Sequence, residues 1–304
     1  MRHSLLLLSL VLLLGLQVQA QQRPAYSQYM FNGLALNPAY AGSQKQLHVM
    51  GIIRSQWVNF EGAPKTQLLT AHAPLDRKNI GLGMQISHEQ IGVHVDWSAY
   101  ASYAYQLKFK KGRMLSLGLQ GGLNHRRSDF TKLTVQAGAD PLLGYYSKVT
   151  PNVGTGAYYS TPTSYVGLSS PFLIENKTFN ANGDGTYSQN RESRYYYLTA
   201  GKVFNAGGNV QAMPSVLLRL QDKMPVGYDL GINFYFQKVV GAGINYRNGD
   251  SVIGLFQLTL NENFVFGYAY DYTLSSLRNH TQGTHEVMLS YRIRLSTDPC
   301  HSYF

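Results

Sequence analysis

The chain has 304 residues, enough for one large domain or two small ones. Charged residues make up 14% of it, well below the ~25% of soluble domains, while tyrosine and glycine number 23 and 30. The formal net charge is +10, but the basic residues are scattered along a secreted chain, so no nucleic-acid partner is expected. The single cysteine, Cys300, excludes an internal disulfide framework, and strand pairing must therefore hold the fold.

The N-terminus has the pattern of a secretory signal peptide. A basic head precedes an apolar run from Leu5 to Leu16, and Val18-Gln19-Ala20 fits a small-residue cleavage site. The apolar run is too short for a comfortable membrane span. We therefore predict a signal peptide over 1–20 and a mature chain that starts at Gln21.

The next segment, residues 21–46, predicts no regular element. It is aromatic, almost uncharged and interrupted by Pro24 and Pro38, and it shows neither helical nor alternating periodicity. An aromatic segment of this kind would expose apolar surface if it were left in solvent. It therefore needs a surface to pack against.

From residue 47 to residue 295 the dominant pattern alternates apolar and polar side chains. Between His285 and Leu295, for example, Val287 and Leu289 alternate with Glu286 and Ser290. This period of two predicts strands. The less apolar face of these strands is rich in Gly, Ser, Gln, Asn and Thr, which is typical of the interior of a barrel whose outer face meets lipid.

Roughly fourteen such segments of about ten residues are present, an even number as single-chain outer-membrane barrels require. The sequence thus predicts an all-β fold, a transmembrane antiparallel outer-membrane β-barrel over residues 47–295. The segments centre on Leu47–Trp57, Lys65–Ala73, Ile80–Ser87, Val95–Phe109, Arg113–His125, Pro151–Ser160, Thr163–Ser170, Arg194–Phe204, Val210–Gln221, Val226–Phe236, Val239–Tyr246, Val252–Leu260, Phe264–Tyr272 and Thr284–Leu295.

The predicted connections separate into a short set and a long set. If the first strand leaves the periplasm, every periplasmic turn is short, and the outer set holds Arg126–Thr150, Pro171–Ser193 and Leu274–Gly283. Outer-membrane barrels keep short periplasmic turns and longer extracellular loops. We therefore expect both termini in the periplasm, including a short tail over 296–304.

No pattern of side chains predicts chemistry. His72, His88 and His94 lie on separate segments without metal-ligand spacing, and nothing orders Ser116 and His285 into a nucleophile and base. No phosphate loop or cofactor motif is present in the sequence. We expect no enzyme activity, no cofactor and no metal.

A barrel of this width gives the N-terminal segment a place to pack. Fourteen strands enclose more space than the eight-strand type that side chains alone fill. We predict that the segment packs in or against the periplasmic mouth, as a lumen plug or a surface for partners, with Arg54 and Trp57 as its possible contacts. An equal alternative is that Arg54 only lines the lumen and Trp57 anchors at the interface. The candidate residues of the segment are Tyr26, Tyr29, Phe31, Asn37, Pro38 and Tyr40.

Two stretches carry a family resemblance. QYMFNGLALNPAYAGS (Gln28 to Ser43) and RSQWVNFEGAPKTQ (Arg54 to Gln67) resemble the PorP/SprF family of type IX secretion system membrane proteins, from Bacteroidota. The resemblance covers the chain from about Gln21 to Leu295. The barrel residues that match the family's motif are Arg54, Gln56, Trp57, Phe60, Gly62 and Pro64.

The resemblance implies an integral outer-membrane barrel that works in type IX secretion and, in gliding species, in the display of surface adhesins. It implies as partners the secretion machinery, a periplasmic OmpA-like peptidoglycan-binding protein, and secreted cargo, in a bilayer of outer-membrane lipid and lipopolysaccharide. Two alternatives remain open. One is a transporter or porin for small or hydrophobic solutes with an N-terminal hatch, and the other is an outer-membrane hydrolase.

Overall fold

The computed structural model describes residues 25–44, 46–75, 79–132, 144–181, 187–222 and 224–295. The predicted signal peptide, the predicted tail and Cys300 lie outside these residues. The described residues contain no helix that is both long and apolar enough to cross a membrane.

The described residues form seventeen strands, and all but two of them belong to one antiparallel sheet. The remaining two, β8 and β9, form a separate hairpin. The strands are β1 (Gln46–Ser55), β2 (Lys65–Leu75), β3 (Ile80–Ile91), β4 (His94–Lys108), β5 (Met114–Asp129), β6 (Tyr145–Ser160), β7 (Ser164–Ser170), β8 (Lys177–Ala181), β9 (Tyr187–Arg191), β10 (Tyr195–Lys202), β11 (Phe204–Gly207), β12 (Val210–Gln221), β13 (Gly227–Phe236), β14 (Val240–Arg247), β15 (Ser251–Thr259), β16 (Phe264–Thr273) and β17 (Thr284–Arg294).

The sheet closes on itself, as the sequence predicts. The first strand, β1, pairs with the last, β17, and β10 pairs with β7 on one side and β12 on the other. Because β10 and β11 both pair with β12 and are separated only by Val203, they occupy one position in the wall. The barrel therefore has fourteen strand positions, which confirms the predicted number.

The two faces of the wall also agree with the predicted alternation. On β5, Ser116 and Gln120 are buried inside the barrel, whereas Leu119 points outward and is 62% exposed. On β17, Glu286 and Ser290 are buried and Leu289 is exposed. Unpaired apolar side chains on the outer face are what a lipid-facing barrel requires.

Strands β5 and β6 extend farther at the loop end than the sequence pattern indicates. Both ends of the predicted connection Arg126–Thr150 are strand, because β5 continues to Asp129 and β6 begins at Tyr145. Polar pairs across the strands keep this part of the sheet together, among them a salt bridge of 2.6 Å between Arg126 and Asp96. At the end of β5, from Arg126 to Asp129, both faces are polar, so the apolar alternation that marks the membrane-crossing part is lost there.

The connections lie at two distinct ends of the barrel. The turn end carries the start of β1, the end of β17 and six connections of at most five residues each. The loop end carries the long connections, including 56–64, 130–144, 171–194 and 274–283. This separation confirms the predicted division into short and long connections.

Residues 25–44, named here the lumen segment, lie inside the barrel. The segment runs from the loop end to the turn end. Backbone amides of Ser27 and Gln28 bond to Glu286, near the loop end of β17, while Gly42 and the carbonyl of Ala41 bond to side chains near the turn end. The sequence places this segment in or against the periplasmic mouth; in the structure it extends along the lumen between the two ends of the barrel.

The lumen segment is irregular because of its own residues. Short 3-10 turns span Gly33–Ala35 and Pro38–Tyr40, and the Asn37 side chain caps the second by accepting a hydrogen bond of 2.9 Å from the Ala39 amide. The second turn packs against β4, β5 and β6. Its backbone approaches Gly118 so closely that a Cβ atom there would overlap Ala39.

This close approach yields a prediction. Gly118→Ala should displace the lumen segment, because the atom in the way is backbone and cannot rotate aside. Gly121→Ala on the same strand is the matched control, since its Cβ atom would meet nothing within 4 Å. Limited proteolysis of the purified protein should cut residues 25–44 faster in the Gly118 variant, while heat-modifiable migration shows an intact barrel in both. Equal rates of cleavage in the two variants would contradict the close packing of the lumen segment against Gly118.

Candidate functional site

Six buried or mostly buried charged side chains form a network inside the loop end of the barrel. Each lies within three residues of the loop end of its strand. We call this network the ionic clasp. Its members are Arg54 (β1), Arg219 (β12), Asp229 (β13), Arg247 (β14), Asp271 (β16) and Glu286 (β17).

Arg54 occupies one side of the clasp. Its guanidinium lies 2.8 Å from Asp271 and 3.1 Å from Glu286, and all three side chains are at most 3% exposed. The register places Arg54 directly opposite Glu286 on the neighbouring strand. The same guanidinium donates a 2.7 Å hydrogen bond to the Ser27 hydroxyl. Arg54 therefore contacts the lumen segment as well as lining the wall.

The other side of the clasp centres on Asp229. This carboxylate receives Arg219 at 2.6 Å and Arg247 at 3.0 Å, and Arg247 also lies 3.6 Å from Asp271. Three arginines thus alternate with three carboxylates, so the charges of these six side chains balance; the partly exposed Asp250 also lies 3.6 Å from Arg247. Pairing of this kind is what allows ionised groups to remain away from water.

The clasp binds the first residues of the lumen segment through their backbone. The amides of Ser27 and Gln28 each donate a 2.9 Å hydrogen bond to the Glu286 carboxylate. Arg247 donates a 3.2 Å bond to the carbonyl of Tyr26. Charge-assisted bonds are stronger than neutral ones, so these contacts anchor the segment.

The middle of the lumen segment packs into buried clusters of apolar side chains. Tyr29 and Tyr40 join Tyr158 and Tyr165 from β6 and β7, and Phe31 lies partly buried between two clusters. A cavity of about 20 Å³ beside these rings is the size of a single water. The Tyr40 hydroxyl accepts a 2.7 Å hydrogen bond from the Gln44 side chain.

The turn end holds two buried histidines. Gly42 donates its amide to His72 Nδ1 at 3.3 Å, His72 Nε2 lies 3.2 Å from His48 Nδ1, and His48 Nε2 lies 2.6 Å from the Ser290 hydroxyl. Because a backbone amide only donates, neutral His72 carries its proton on Nε2 and His48 carries its proton on Nε2. His48 then donates to Ser290, so this arrangement does not present a general base to a serine.

The family-motif residues of the β1–β2 connection form a hollow at the loop end. The Gln56 amide donates to the Pro64 carbonyl at 2.9 Å, which closes the connection, and the Gly62 carbonyl accepts a 2.9 Å bond from Gly92. Trp57 has a positive φ of 45°, an uncommon conformation for a bulky residue. Strand β1 ends at Ser55, two residues before the boundary predicted at Trp57.

This hollow, named the loop hollow, measures about 550 Å³. Phe60 is 43% exposed on its rim, and Glu61, Lys65 and Gln90 supply polar groups. The Trp57 amide donates to the Thr284 hydroxyl, which ties the connection to β17. Backbone strain of the kind seen at Trp57 is found where surrounding structure holds a functional loop.

The structure does not bring the other sequence candidates together. Ser116 is buried on β5, whereas His285 is bonded to the Tyr268 hydroxyl on another part of the wall. His88 packs on Trp97, and His94 bonds to Ser128. Among the residues that the structure describes, no group of three His, Cys, Asp or Glu side chains could hold a metal.

The sequence pattern does not single out the acidic half of the clasp. Asp229, Asp271 and Glu286 lie on the less apolar face of their strands, among other polar residues. A signal was nevertheless available, because ionisable residues are rare on the predicted inward faces and each of these stands two or three residues from the loop end.

Comparison with known proteins identifies the family of the chain. The family described as "Type IX secretion system membrane protein PorP/SprF" matches residues 18–291. No curated protein matches the chain significantly. The solved Acinetobacter baumannii outer membrane protein Omp33 is similar at 9% identity and a TM-score of 0.46, over 82% of this chain and 100% of that one. The Pseudomonas putida toluene transporter TodX is similar at 10% identity and a TM-score of 0.49, over 87% and 93%.

A closed antiparallel barrel with an apolar outer face defines an outer-membrane β-barrel protein. With nine-tenths of its length matched, this chain belongs to the PorP/SprF family of type IX secretion system membrane proteins.

The clasp predicts a large cost for removing one partner. Arg54→Met leaves Asp271 and Glu286 short of a cation and should lower the free energy of unfolding by roughly 3–5 kcal/mol. The matched control is Arg194→Met, whose exposed pair with Glu175 is worth about 1 kcal/mol or less. Adding Glu286→Met to Arg54→Met should recover part of the loss, because the charges balance again.

Tryptophan fluorescence during urea unfolding in detergent micelles measures these differences. A cost for Arg54→Met no larger than that for Arg194→Met would show that the clasp does not stabilise the barrel.

Proposed function

We propose that this protein is a partner-binding component of type IX secretion that supports the secretion or surface attachment of cargo such as gliding adhesins, and that it is not an open solute channel. The observation that carries the proposal is the lumen segment, held across the interior by the ionic clasp at one end and covalently joined to β1 at the other.

The lumen segment is suited to close the barrel. Its residues contact inward-facing side chains around the wall, including Glu286 on β17, Thr70 on β2 and Ser169 on β7. Ser27 and Gln28 are fully buried, and most of the segment's aromatic rings are at most 9% exposed. A segment packed in this way leaves its apolar rings away from water, which supports the role of a plug.

The separation of connections supports an orientation. With the short connections in the periplasm, as is usual for such barrels, the loop end faces the exterior and β17 ends on the periplasmic side. A periplasmic OmpA-like, peptidoglycan-bound partner would then meet the turn end. Outer-membrane lipid and lipopolysaccharide would surround the exposed apolar wall.

Cargo would meet the loop end, where the loop hollow lies. Its exposed aromatic rim at Phe60 and its polar border resemble the composition of protein interfaces, in which aromatic anchors are enriched. We propose the loop hollow as the contact for secreted cargo. No catalytic step is part of this function.

A secretion assay tests the role. Cells that lack the protein should fail to display a type IX cargo protein, and the intact gene should restore display. Phe60→Ala should reduce co-purification of that cargo with the barrel by about tenfold or more, because such a loss of affinity is typical when one aromatic hot-spot residue is truncated. Phe109→Ala, an exposed phenylalanine at the turn end, is the matched control. Normal display without the protein would overturn the proposed function.

Planar-bilayer conductance separates this function from a transporter. The intact protein should show no steady large currents, because the lumen segment fills the interior. Deletion of residues 25–43 should open a conducting pore, since fourteen strands enclose more space than the remaining side chains fill. Large steady currents or solute uptake by the intact protein would favour the transporter instead.

A further inference from the structure

The lumen segment runs along the barrel in a definite direction, and that direction determines at which end of the barrel Ala25 lies. Its C-terminal end passes into β1 at Gln46, which starts at the turn end. Its first bonded residues, Tyr26 to Gln28, lie at the loop end in the ionic clasp. The segment therefore crosses the lumen in the direction opposite to β1.

Contacts in between follow the same order along the barrel. The Tyr29 hydroxyl lies 3.3 Å from Ser215, in the middle of β12, and Thr70 in the middle of β2 bonds to Asn32. Farther along, the Asn37 side chain donates to the Ala157 carbonyl, close to the turn end of β6. Tyr29 and Asn32 thus contact the middle of the wall and Asn37 contacts it nearer the turn end, so the direction does not depend on the clasp alone.

Exposure changes at the loop-end side of the segment. Ser27 and Gln28 are completely buried, Tyr26 is 9% exposed, and Ala25 is intermediate. Exposure therefore increases from Gln28 back to Ala25, the first described residue, on the loop-end side of the clasp. A segment that entered from the turn end would instead have to double back along the same lumen.

We infer that the N-terminal end of the lumen segment, at Ala25, faces the cell exterior on the side of the barrel that carries the long connections. The exterior position rests on the proposed orientation. It replaces the expectation that the N-terminus stays in the periplasm. The exterior surface then includes Ala25 next to the clasp, so an external protein that bound there would contact the same element that lies in the lumen.

Cysteine labelling of whole cells tests this inference. Ala25→Cys is placed in a Cys300→Ser background and exposed to a membrane-impermeant maleimide. Two glutamates serve as matched controls, Glu61→Cys in the loop-end connection 56–64 and Glu262→Cys in the turn between β15 and β16, both exposed. Ala25→Cys and Glu61→Cys should react in intact cells, and Glu262→Cys only after the outer membrane is permeabilised.

The outcomes are distinguishable. Labelling of Ala25→Cys only after permeabilisation, or only after denaturation, would overturn the inference while leaving the orientation and the secretion role in place. If Glu262→Cys reacted in intact cells and Glu61→Cys only after permeabilisation, the orientation would be overturned, and the exterior position of Ala25 with it. Heat-modifiable migration confirms that each variant has folded before it is scored.

Discussion

The pairing of charge inside the barrel is the constraint on which the rest of the structure depends. An ionised group removed from water costs several kcal/mol unless partners compensate it. The clasp meets this requirement with three arginines and three carboxylates from six strands, which come together only when the barrel closes in the observed register. Glu286 still has acceptor capacity beyond Arg54, and the amides of Ser27 and Gln28 use it. Wall and lumen segment are therefore joined by one network.

The width of the barrel explains the composition of the lumen segment. Side chains alone do not fill fourteen strands, so a piece of chain without its own regular hydrogen bonding has to supply both apolar bulk and polar contacts. Tyrosines provide the bulk, and the Asn37 and Ser27 side chains satisfy polar groups of the wall and of the clasp. Glycines such as Gly118 allow the backbone to come close. Pro38 and the two 3-10 turns interrupt the extended chain, so the segment can change direction along the wall.

Much of the wall could be predicted, because lipid on one side and the lumen on the other impose a period of two on every crossing. The predictions are wrong where that contrast ends. From Arg126 to Asp129 both faces of β5 are polar, so strand and loop look alike in sequence there. Among the candidate residues, Arg54 and the aromatic segment stand out through their motifs. Their acidic partners do not, since nothing within β16 or β17 indicates that Asp271 and Glu286 meet an arginine on β1.

The sequence by itself determined the class of fold, the number of strands and the division of connections into two ends, because each follows from local periodicity and turn composition. Only the tertiary structure decided the direction of the lumen segment and the composition of the clasp. Ser27 and Glu286 are 259 residues apart in the chain, and their contact depends on barrel closure rather than on any local preference. The position of Ser27 and Gln28 at the loop end is consequently set by long-range contacts with charged residues, which no short stretch of sequence encodes.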